Sequence, residues 1–109
     1  MKIITVHQHI NSDALLARLQ QKLNPMFKEQ RQENIVFDIY KNGEAVEIAK
    51  PDLYDGALFQ IAVNGEELWI TRNEHYTDDV NSLTIESILA SLFEDLTDDI
   101  RGVEMVQEG

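Results

Sequence analysis

The chain has 109 residues, no cysteine, and 20 acidic against 9 basic residues, for a net charge of −11. That length suits one domain spanning residues 1–109, which buries roughly 65% of its unfolded surface and needs no disulfide or metal to fold. The missing cysteines exclude disulfides, thiolate zinc sites, iron–sulfur ligation and a cysteine nucleophile together, and the acidity argues against direct binding to a nucleic-acid backbone.

Lys2–His9 reads as a strand, with Ile4, Val6 and Ile10 alternating onto one face and Ile3, Thr5, His7 and His9 onto the other. The apolar run at its start is too short for a secretory signal or for a membrane span of about 20 residues. We therefore expect a cytoplasmic protein without membrane contact. Asn11-Ser12-Asp13 signals a helix start, and Leu15, Leu16, Leu19 and Leu23 follow at helical spacing. Pro25 lacks the amide that an interior position needs, so the pattern predicts a break near Asn24 or a restart with Asn24 as cap. Lys28–Asn34 reads as a polar connector or a frayed continuation.

The middle of the chain repeats itself. Phe37-Asp38-Ile39-Tyr40-Lys41-Asn42-Gly43-Glu44 is echoed 22 residues later by Phe59-Gln60-Ile61-Ala62-Val63-Asn64-Gly65-Glu66. Asn-Gly between alternating apolar residues is a strong hairpin signal. With Asn-Gly as the loop, Ile39 faces Val46 and Phe37 faces Ile48, while Ile61 faces Leu68 and Phe59 faces Ile70. Two copies are too few for a solenoid or propeller, so they read as consecutive hairpins of one antiparallel sheet, joined by residues 50–56.

Residues 72–81 form a polar loop. Thr84 is the expected cap of a second helix, with Leu83 and Ile88 placed as a hydrophobic staple. Ile85, Ile88, Leu89, Leu92, Phe93, Leu96 and Ile100 make one apolar stripe, and Gly102 supplies the stop. Val103–Val106 suits a short closing strand. The fold class is thus α+β: a mostly antiparallel sheet from the N-terminal strand and two Asn-Gly hairpins, with two amphipathic helices, in the order β-α-β-β-β-β-α and a short C-terminal strand to follow.

Charge is unevenly spread. Residues 1–73 hold ten acids and eight bases, whereas residues 74–109 hold ten acids and only Arg101. Glu86, Glu94, Asp95, Asp98 and Asp99 lie on the second helix, where Asp98 and Asp99 oppose the helix dipole and like charges four residues apart cost about 0.2–0.5 kcal/mol per pair. Such a face is either a solvated surface or a contact for a basic partner protein, including a mimic of nucleic-acid phosphates.

Other candidates are weaker or apolar. His7 and His9 share a strand face, and His75 with Glu74 would have to approach them to complete a metal site. Asp78 and Asp79, near Asn73 and Asn81, lack the ligand spacing of a calcium loop. No Gly-x-Ser-x-Gly turn, phosphate-cradling glycine loop or nucleophile–base pairing is legible, so no catalytic residue and no cofactor is assigned. By alternation Val36, Tyr40, Ala45, Ala49, Leu58, Ala62 and Trp69 share the sheet face opposite Phe37, Ile39, Phe59 and Ile61. That face is apolar for a wet surface, and Trp and Tyr are frequent contact anchors.

The leading expectation is a non-catalytic interaction module, a homodimer or an adaptor for a protein partner, using Val36, Tyr40, Leu58 and Trp69. The alternatives are an acidic inhibitor acting through the second helix and a histidine-based metal protein or enzyme.

Overall fold

The computed structural model describes residues 2–6, 10–96 and 103–107. Its elements are β1 (Lys2–Val6), α1 (Ser12–Arg31), β2 (Asp38–Asn42), β3 (Ala45–Ala49), β4 (Ala57–Asn64), β5 (Glu67–Arg72), a single 3-10 turn (Glu74–Tyr76), α2 (Val80–Leu96) and β6 (Val103–Gln107). This is the α+β order read from the sequence, with the closing strand present. The six strands form one sheet in the order β2-β3-β4-β5-β1-β6, and every pairing is antiparallel. Both helices contribute to one core with a single sheet face: Leu15, Leu19, Leu23 and Phe27 from α1, and Ile85, Ile88, Leu89, Leu92 and Phe93 from α2, pack with Ile4, Ile39, Val46, Ile48, Phe59, Ile61, Leu68 and Ile70. No described helix is long and apolar enough to cross a membrane.

Asn11 caps α1 as expected, its side chain accepting from the amides of Asp13 and Ala14. The helix does not break at Pro25; it runs on to Arg31 and closes on Gln32, whose φ of 55° is left-handed and whose amide donates to the Lys28 carbonyl. An interior proline costs about 3 kcal/mol. Here Leu23 and Phe27 are both fully buried on either side of it, each contributing roughly 1.5–3 kcal/mol. Asn24 adds a two-point anchor, accepting from the Phe37 amide at 2.8 Å and donating to the Phe37 carbonyl at 3.1 Å. Phe27 and Phe37 then meet edge to face, 4.8 Å between centroids. Docking outweighs the local rule.

Both hairpins exist, but in a register two residues from the expected one. Ile39 faces Ile48, and Lys41 faces Val46; Ile61 faces Ile70, and Val63 faces Leu68. The loops are Gly43-Glu44 and Gly65-Glu66, because only the glycines take positive φ, 66° and 64°. Glycine at the first central position is the type II′ arrangement, which leaves Asn42 and Asn64 as the last strand residues. A shift of two preserves the alternation, so Ile39, Val46, Ile48, Phe59, Ile61 and Ile70 still share the buried face.

One expected face assignment fails. Leu58 is fully buried, not exposed beside Tyr40 and Trp69. The ladder is interrupted there: Ile48 pairs with Phe59 and Ala49 with Ala57, leaving Leu58 as the extra residue of a bulge. A bulge breaks the alternation of the strand that carries it, and Leu58 turns into the core.

The start of α2 also differs from the sequence reading. It begins at Val80, and Asp79 rather than Thr84 caps it, its carboxylate accepting from the Ser82 amide at 3.1 Å. Thr84 lies inside the helix and donates to the Val80 carbonyl at 2.8 Å. The end expected near Ile100 and Gly102 lies outside the described residues.

Candidate functional site

With both helices on one face, the other face of the sheet has no described element packed across it. Its composition follows from the register. One row across the strands runs Ile3, Trp69, Ala62, Ala45 and Asn42. On one side of it lies Thr5, Glu67 and Asn64; on the other lies Thr71, Gln60, Glu47 and Tyr40. Successive rows are about 7 Å apart along a strand. An apolar stripe therefore crosses the sheet between two polar rows, each carrying a carboxylate.

Trp69 is half-buried between the positions of Ile3 and Ala62, and its indole Nε1 donates to Glu67 Oε1 at 2.9 Å. Tyr40 stands at the β2 edge, 41% exposed, and donates its hydroxyl to Glu47 Oε1 at 3.0 Å. Glu47 Oε2 accepts from Asn42 Nδ2 at 3.0 Å and Gln60 Nε2 at 3.1 Å. The Asn42 amide, helped by Tyr40 and Gln60, holds Glu47 below its usual carboxylate range, although partial burial pushes the other way. Its hydrogen bond to Glu47 raises the Tyr40 phenol in turn. The group is a fixed anion surrounded by neutral donors.

Of the residues expected on this face, Tyr40 and Trp69 stand on it and Leu58 does not. Val36 is 62% exposed but precedes β2 and lies outside the paired strand. Sequence reading did not bring Glu47, Gln60, Glu67 and Ile3 into the site. Alternation places each on the face, but their neighbourhood depends on strand order and on the two-residue register shift.

Of the expected acidic helix surface, only Glu86 and Glu94 have described side chains. Glu86 is about one quarter exposed and pairs with Arg72 at 3.2 Å, so it belongs to an internal ion pair rather than to an open anionic face. Glu94 is exposed. Asp95 lies in the last turn of α2 (Val80–Leu96) without a described side chain, and Asp98 and Asp99 lie outside the described residues. His7 and His9 likewise lie outside, while His75 is exposed in the 3-10 turn. Among the described residues no group of three or more His, Asp or Glu could hold a metal ion.

Two further features complete the molecule. Tyr54, buried in the loop between β3 and β4, donates to Asp79 Oδ2 at 2.8 Å and accepts from Asn81 Nδ2 at 3.0 Å. Burial first, then Asp79, raises its phenol. The Tyr76 hydroxyl accepts from the Asp55 amide, and the Tyr54 and Tyr76 rings meet edge to face at 4.8 Å. These groups tie a loop to a helix cap. Beside α2, a groove of about 210 Å³ is floored by Ile4, Ile70 and Leu89 and edged by Leu83, Glu86 and Ser87.

Comparison with known protein families, curated proteins and solved structures finds no match to this chain.

Proposed function

We propose that this protein is a non-catalytic interaction module that engages another protein through the outer face of its sheet. The observation that carries the reading is the row Ile3–Trp69–Ala62–Ala45, an apolar stripe on the face opposite both helices. Apolar stripes with polar margins resemble the core and rim of contact surfaces. A tryptophan held in one orientation by Glu67 loses little further freedom when a partner covers it.

The test is site-specific photo-crosslinking. A photoreactive residue replaces exposed Gln60 on the outer face or exposed Gln21 on α1, and extracts of the protein's own cells are irradiated. Position 60 should give one discrete adduct and position 21 none. The captured protein, this chain included, is then purified and its binding reconstituted. Trp69→Ala should weaken that binding at least ~10-fold with the fold intact, as expected of an aromatic anchor. Equal adducts from both positions, or binding indifferent to Trp69→Ala, would overturn the reading.

A further inference from the structure

We infer that the occupant of the outer sheet face is a cationic segment with an apolar centre, supplied by a different protein rather than by a second copy of this chain; the inference rests on the reading above. Among the residues with described side chains, the face carries acids and no Lys or Arg. Asp38, Glu47 and Glu67 occupy outer positions. No Lys or Arg with a described side chain takes an outer position in the strands. Lys41 reaches Asp13 at 2.8 Å and Arg72 reaches Glu86 at 3.2 Å, both on the helix side.

Glu47 and Glu67 lie on opposite sides of the Trp69 row, and neutral groups hold both. Glu47 has Tyr40, Asn42 and Gln60; Glu67 has the Trp69 indole. Neutral donors orient a carboxylate without cancelling its charge, so each stays an oriented anion with no counter-cation from the described strands. Face-to-face pairing of two copies would bring these like charges into one dry layer, with desolvation unpaid by any cation. A partner with basic residues flanking an apolar centre meets the same face favourably. Its centre covers Trp69, Ala62 and Ala45, its cations reach Glu47 and Glu67, and its lysine stems lie along the aromatic rings.

The probe is a short peptide with a Val-Leu-Val centre and paired lysines at each end, compared with its counterpart carrying glutamates in place of lysines. Trp69 is the only tryptophan in the chain, so its emission reports on the face directly. The lysine peptide should shift that emission and the glutamate peptide should not. Binding should weaken at least ~10-fold between low salt and ~0.5 M salt, as screening requires, and by a similar factor in the double variant Glu47→Gln/Glu67→Gln. Glutamine keeps an acceptor for Tyr40 and for the indole, and circular dichroism checks the fold.

Equal responses to both peptides, no response to either, or unchanged binding by the double variant would overturn the inference. Solution mass against concentration separates its failure from failure of the wider reading. A salt-indifferent dimer weakened by Trp69→Ala removes the cationic partner and keeps the face as an interface. A monomer that answers neither peptide, with equal crosslinking from positions 60 and 21, removes both.

Discussion

Along β4, Phe59 and Ile61 are buried to 1% and 0% exposure, while Gln60 between them is open to solvent. The same strand thus builds two surfaces of different kinds. On the helix side, aliphatic and aromatic side chains fill a continuous core, and its margins are closed by ion pairs such as Lys41–Asp13 and Arg72–Glu86. On the other side, small apolar residues and one tryptophan lie between carboxylates that no described strand base neutralises. The contrast separates two duties. Stability is concentrated where charge is paired and apolar groups are dry; the recognition proposed above falls where charge is oriented but left open.

The largest effect should come from breaking the inner face. Phe59→Ala removes a fully buried ring and should cost about 3–5 kcal/mol, read from urea unfolding. A loss of similar size from Trp69→Ala would break the comparison, since both faces would then be structural.

Next is the anchor that sets α1 against the sheet edge. Asn24→Ala deletes both hydrogen bonds to the Phe37 backbone and should cost about 1–3 kcal/mol, leaving half-buried backbone groups without a partner. Denaturant unfolding gives the cost, and faster amide exchange at Phe37 should accompany it. A cost under ~0.5 kcal/mol would mean that Leu23 and Phe27 position the helix by packing alone.

These two positions show which parts of the fold were legible in the sequence. Alternation identified Phe59 as a core residue because a strand period of two needs no knowledge of partners. The helical stripe and the Asn11 cap were legible for the same local reason. Local reading offers Asn24 as the site of a break or as the cap of a restart, because Pro25 dominates that segment. The partner that overrides it, Phe37, is 13 residues away. Leu58 was misplaced because a bulge is decided between strands. The hairpin register slipped because glycine alone carries the positive φ, which an Asn-Gly pair does not announce. For the candidate site, Trp69 and Tyr40 were visible as anchors. Glu47 and Glu67 became part of it only once the strand order put one on each side of the tryptophan row.

On the outer face the expected stability effects are smaller. Trp69→Ala should cost about 0.5–1 kcal/mol, the scale of cross-strand contacts with Ile3 and Ala62. Thermal unfolding against wild type reads this, and the variant should keep its circular dichroism spectrum. A cost well above this range would assign the tryptophan a structural duty and weaken its reading as an anchor.

The smallest effect belongs to Glu47→Gln, and pH gives it a signature. Asn42, then Tyr40 and Gln60, hold the folded-state pKa of Glu47 below its ordinary 4.5. A depressed carboxylate contributes stability that is present above the unfolded pKa and is lost as pH falls through the folded one. Wild type should therefore exceed Glu47→Gln by a few tenths of a kcal/mol near neutrality, an amount kept small by solvent screening. That advantage should begin to fade near pH 4.5 and disappear at more acid pH, where the protonated carboxyl and the amide are both neutral. Paired unfolding curves across the acid range measure the difference directly. A gap that persists unchanged into strong acid would mean that Glu47 acts through shape and hydrogen bonding alone, and the outer face would lose the fixed charge that distinguishes it from the inner one.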